Sequence, residues 1–259
     1  MSSQKLSHAP LVEAIFEVHW KLKPDPDPTV GGTDPYAKVL LGRLYDRLQT
    51  DYKVYEALPA AGVPDQMVNF APQHQFRVAE KQWPLVQLGP GILTLNDTHE
   101  YDWPDFRRRS TQAIAWLYEA YPDAEHRLEI NDVRLRYIDA IPLSSENSDF
   151  LDFMARKMGV EFRFPEAALV ALGVSPKPLG MKTVFSYPAT LPIGLLQLEF
   201  SHVLREGNPI ILWETTLRSH ENAAPSLPGG FESWLDQAHN VTHSLFFSMI
   251  DGELLEQFR

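Results

Sequence analysis

A chain of 259 residues, 44% of them hydrophobic and 22% charged, can bury roughly 70 to 75% of its unfolded surface, which excludes disorder throughout. It has no cysteine. That excludes a disulfide framework, a thiolate nucleophile and a cysteine zinc site, and points to the cytoplasm. The formal net charge of -11 is spread over both halves, with 15 basic and 20 acidic residues in 1–143 and 8 and 14 in 144–259. Neither half supplies the basic field that long-range attraction to nucleic acid requires. Met1 to Pro10 has no apolar signal segment, and no stretch nears the roughly 18 apolar residues that span a bilayer.

Leu11 to Leu22 alternates Val12, Ala14, Phe16, Val18 and Trp20 with Glu13, Ile15, Glu17 and His19, the period of a half-buried strand. Pro24 to Pro35 is too rich in proline and glycine for helix or central strand and is expected to be a mobile loop. Tyr36 to Gln49 places Val39, Leu40, Leu44 and Leu48 at helical spacing. Met67 to Glu80 and Leu85 to Asn96 are expected strands, the second interrupted by a turn or bulge at Gly89-Pro90-Gly91. Asp102 caps a helix with Pro104 in its first turn and a stripe of Phe106, Ala113, Ile114, Leu117 and Tyr121; Pro122 ends it.

A second round starts at Asp132, where Val133, Leu135 and Tyr137 alternate with Arg134, Arg136 and Ile138. A short helix at Phe150 to Met158 and a loop at Gly173 to Gly180 precede strands at Met181 to Tyr187, Gly194 to Leu204 and Ile210 to Arg218. The last helix runs from Phe231 to about Phe258, with a break near Gly252. Strand, helix, several strands, helix, stated twice, predicts an α+β fold: tandem repeats, 1–125 and 126–259, fused into one curved antiparallel sheet with helices on one face. The first strands of the two rounds are expected to be neighbours near the centre, as in the TATA-binding-like saddle, a fold-level analogy that carries no function.

If helices cover the Phe16 and Leu135 face, the opposite face carries Glu13, Glu17, His19, Arg134 and Arg136, with Arg77, Gln87, Gln197, Glu199 and Glu214 from other strands. Arginines at i and i+2 project side by side and could grip a carboxylate, phosphate or acidic peptide; Glu13 and Glu17 could equally pair with Arg134 and Arg136 across the seam. His239 and His243 stand one helical turn apart, as two metal ligands can, but a third would have to come from Asp236 or His202, and core-edge histidines are the simpler reading. Arg107, Arg108 and Arg109 fan over about 200° of a helix and read as an ion-paired solvated face. No nucleophile elbow, phosphate loop, dinucleotide fingerprint, EF-hand loop or kinase set is present. No cofactor is implied, and no catalytic residue is assigned.

Three segments together, APLVEAIFEVHW at Ala9 to Trp20, VRLRYIDAIPL at Val133 to Leu143 and the terminal helix with Asp236, His239 and Phe247, resemble a sporadically distributed bacterial family of about this length with no established activity. In that family the residue after Tyr-Ile is commonly asparagine, where this chain has Asp139. Sporadic distribution implies mobile or defence-linked genes, antitoxin-like proteins among them. The expectation is a non-catalytic cytoplasmic binding protein holding a protein or peptide partner on the polar sheet face. The alternatives are an enzyme acting on a phosphorylated or nucleotide ligand, with Glu17 or His19 as acid or base, and a nucleic-acid-binding saddle. A concave site with one perturbed titrating group would favour the enzyme.

Overall fold

The computed structural model describes residues 6–27, 29, 31–98, 100–143, 149–250 and 252–259. Its described strands form one antiparallel sheet of nine in the order β2-β3-β4-β5-β1-β6-β9-β8-β7. These are β1 Leu11–Trp20, β2 Val54–Ala57, β3 His74–Arg77, β4 Leu85–Gly89, β5 Ile92–Asp97, β6 Ile130–Pro142, β7 Lys182–Thr190, β8 Ile193–Arg205 and β9 Asn208–His220. The helices are α1 Ala37–Leu48, α2 Trp103–Ala120, α3 Ala124–Arg127, α4 Phe150–Met158, α5 Glu166–Ala171, α6 Phe231–Met249 and α7 Glu253–Phe258. The fold is α+β with an open antiparallel sheet, and among the described residues no helix is long and apolar enough to cross a membrane.

The alternation of β1 and β6 determines where the core lies. Phe16 pairs in register with Leu135 and Val18 with Val133, and all four are buried. The same row continues through Leu95 and Val86 to Phe76 on one side and through Leu217 on the other. This row packs against Leu40, Leu44 and Leu48 of α1, Ala113, Ile114 and Leu117 of α2, and Phe231, Trp234 and Leu235 of α6, so one cluster draws residues from both halves. A second cluster joins Ile141, Phe200, Ile211 and Trp213 to Phe153 and Met154 of α4 and to Leu254 of α7. Burying a large aliphatic or aromatic side chain contributes about 1.5 to 3 kcal/mol, so these stripes place the helices on that face and leave the other open.

Several local expectations change. Only His74–Arg77 of the expected Met67 to Glu80 strand is strand; Asp65–Met67 is a 3₁₀ turn and Phe70 takes a left-handed φ of 59°, which no ladder accommodates. Pro72 also removes a ladder donor. Leu85 to Asn96 becomes two strands joined at Pro90-Gly91, with Gly91 at φ 79°. A side chain at Gly91 would collide with the Phe70 ring, its Cβ lying 2.7 Å from Phe70 Cε1. Val39 of α1 is 47% exposed rather than buried, while β2, α3 and α5 are too short to have a periodic signal. The loop Pro24 to Pro35 is closed by a bridge between Lys23 and Thr33 and pinned by Asp34, which accepts from Trp20 and Tyr121; Pro28 and Val30 lie outside the described residues. The last helix breaks as expected, into α6 and α7, with Asp251 outside the described residues.

Candidate functional site

The strand register builds the open face in rows. Beside the core row runs Gln75, Gln87, Thr94, Glu17, Arg134 and Arg218, one residue from each of β3, β4, β5, β1, β6 and β9. On its β3 side the row is a relay of amide and hydroxyl hydrogen bonds that ends on two carboxylates. Gln75 donates to Glu56, Gln87 donates to Gln75, Thr94 donates to Asn96 at 2.7 Å, and Asn96 donates to Glu13 at 2.9 Å. On the β6 side the row turns into charges.

Glu17 is the hinge between the two. It is 6% exposed, and Arg136 Nη1 donates to it at 2.8 Å while His19 Nε2 lies 3.2 Å from its other oxygen. Burial alone would raise its pKa; the hydrogen bonds from His19 and Arg136, with the charges of Arg136 and Arg134, outweigh that and hold it down at about 2. Arg136 completes its coordination on the far side with two 3.0 Å bonds to Glu214. The expected seam pairing is therefore half right. Glu17 contacts both arginines, whereas Glu13 is held by Asn96.

Asp132 organises the next cluster. It is 3% exposed and accepts from Arg134 Nε and Nη2 and from Arg218 Nε, with Arg218 Nη2 2.6 Å away. Burial pushes its carboxyl up, but the bonds and charges of the two arginines win and lower it. Arg134 and Arg218 are direct cross-strand partners on β6 and β9. Arginine at 218 and aspartate at 132 escaped the sequence reading because their meeting depends on the β6–β9 register. The usable signal was parity, since the partly exposed Glu214 and Arg218 share one parity and the buried Trp213, Thr215 and Leu217 the other.

These side chains line a depression of about 640 Å³ whose floor includes Glu17, Asp132, Arg134, Arg136 and Arg218, and whose rim includes Phe70 and His220. Phe70 stacks on His19 with ring centroids 5.5 Å apart. An aromatic residue held at positive φ is strained by about 1 to 3 kcal/mol, so the surrounding structure fixes this wall in place. The remaining expected residues lie elsewhere on the face. Arg77 sits over the Trp83 ring at 4.9 Å, beside Glu56, and Glu199 pairs with Lys182 at 2.7 Å. Neither lines the depression.

The histidine pair belongs to the helix side. His239 accepts or donates a 2.9 Å bond with Tyr137 and stacks on Trp103 at 3.7 Å. Burial, and secondarily the charge of His243, lower its pKa to about 3, so it is neutral. Asp236 is taken by Arg107 at 2.6 Å and His202 stacks on Phe150, so neither completes a metal set with the pair; among the described residues no cluster of three such ligands occurs. Arg108 and Arg109 both pair with Asp105, which makes the basic triplet an ion-paired surface. Compared with protein-family models and with curated proteins, the chain matches none.

Proposed function

We propose that this chain is a non-catalytic binding protein whose open sheet face, centred on the β1–β6 seam, receives a protein or peptide partner. The observation that carries this reading is the state of the acids in the depression. Glu17 and Asp132 are both held ionised by arginines, so they orient cations well and exchange protons poorly. A general acid or base works best with a pKa near the operating pH, and a carboxylate at about 2 is a weak base. The concavity would suit an enzyme acting on a phosphorylated or nucleotide ligand, but the perturbation of Glu17 runs in the wrong direction for its expected role. The chain's net charge of -11 weighs against a nucleic-acid saddle.

The reading of the halves 1–125 and 126–259 as tandem copies would put the depression at the axis between them, in keeping with the strand-helix-strands-helix order of each. A role in a bacterial conflict system, antitoxin-like, rests only on the family resemblance. The test is capture from a lysate of the encoding organism with mass spectrometry. Wild type should retain a partner that Arg134→Glu with Arg136→Glu loses while the far-UV spectrum is unchanged. Equal recovery by the folded variant would remove this face from the reading.

A further inference from the structure

We propose that Arg134 and Arg218 form a subsite for one oxyanion, a carboxylate or phosphoryl group carried by whatever the open face binds. The assignment rests on the reading of that face as the binding surface and adds the chemistry it selects.

Like charges directly opposite one another on neighbouring strands destabilise a sheet, yet Arg134 and Arg218 are register partners. A single buried carboxylate, Asp132, holds both. It takes Nε and Nη2 of Arg134 and the same edge of Arg218. The other terminal nitrogen of each guanidinium is left over. Among the described residues, Nη1 of Arg218 makes no hydrogen bond, and Nη1 of Arg134 has only a 3.5 Å approach to Glu17. Arg136 is the internal contrast, because Glu214 and Glu17 engage all three of its nitrogens.

The connected cluster is balanced in charge, with Arg134, Arg136 and Arg218 set against Glu17, Asp132 and Glu214. The subsite therefore rests on the unused guanidinium donors and not on an excess of positive charge. The guanidinium fork matches the spacing of carboxylate and phosphate oxygens. His220 stands opposite Asp132 in register, and both arginines line the depression together with His220 and Phe70.

The probes are inorganic phosphate and acetate, titrated at constant ionic strength against chloride and followed by the arginine Nε–Hε resonances of the full chain. Saturable shifts should appear at Arg134 and Arg218 and be much smaller at Arg136. Arg218→Gln should weaken binding by about tenfold or more, since one fork is lost, and Arg107→Gln on the helix side should leave it unchanged. If Arg218→Gln loses its spectral dispersion, Arg218→Lys, which keeps the charge but not the fork, should show the same weakening. Tighter phosphate binding assigns a phosphoryl group and tighter acetate binding a carboxylate. Linear, uniform shifts with both anions, or wild-type binding by folded Arg218 variants, would overturn the subsite. In that case, partner capture that still depends on Arg134 and Arg136 would leave the open-face reading standing.

Discussion

Asp132 and Asp139 lie seven positions apart on β6, each 3% exposed, and their carboxyls are shifted in opposite directions. Asp132 faces the open side, where Arg134 and Arg218 hold it below the usual carboxylate range. Asp139 has the parity of Leu135 and Tyr137 and faces the helix side, where burial without a cation pushes it up to about 7. Its direct cross-strand partner is Trp213, whose indole N–H has no hydrogen-bond partner, and among the described residues none reaches the Asp139 carboxyl. Solvent exposure is the same for both, but the Asp139 carboxyl is the more deeply enclosed and has no cation beside it. Burial and the placement of arginines together decide which face of the sheet works as a charged surface.

The largest expected effect comes from the unpaired acid. In the unfolded chain Asp139 ionises near its ordinary value of 3.8, while the folded chain keeps the proton to about 7. Between those values the folded state binds more protons, so stability falls as pH rises, by about 4 kcal/mol in all, and then levels off. Glu17 and Asp132 have the opposite sign. Their contribution is full above the unfolded carboxylate range and is lost as pH falls toward the depressed folded values. The three together place maximal stability near about pH 4 to 5. Urea denaturation from pH 3 to 8 reads this directly, and Asp139→Asn should flatten the fall above pH 5; an unchanged slope in that variant would place the loss elsewhere.

Next in size is the removal of the paired acid. Asp132→Asn leaves two guanidiniums facing each other over a weak acceptor, and breaking a buried ion pair on one side costs about 3 kcal/mol where the cations are partly solvated. The denaturation midpoint at pH 7 should fall accordingly. A change within about 0.5 kcal/mol, the range of ordinary surface substitutions, would mean that Asp132 does not hold the cluster. The smallest effect belongs to the wall. Phe70→Gly removes the stack on His19, worth about 1 kcal/mol, and relieves left-handed strain of similar size, so the midpoint should move by less than about 1 kcal/mol. A larger loss would make Phe70 a core residue rather than a rim.

The adjacency of β1 and β6 was expected from the two-round layout, and the alternation within each strand assigned its faces. Phe16 and Val18 against Glu17 and His19, and Leu135 against Arg134 and Arg136, fix two faces without any knowledge of neighbours. The same parity already puts Asp139 with Tyr137 on the buried side. What alternation cannot supply is register, and register is what sets Arg218 opposite Arg134 and commits Arg136 to Glu214. Phe70 was invisible for another reason. It lies in a stretch that reads as strand, and its φ of 59° arises from tertiary contact with the turn at Gly91. Among the other strands, β2 is held by pairing with β3 rather than by an apolar pattern of its own.

The most direct test of the claim that burial and arginine placement together set the charge of each face is a carboxyl-carbon NMR titration of the aspartates and glutamates in the folded chain. Glu17 and Asp132 should still be ionised at pH 4, whereas Asp139 should stay protonated to about pH 7. If Asp139 instead titrates together with Asp132 below pH 4, the contrast between the two faces is contradicted.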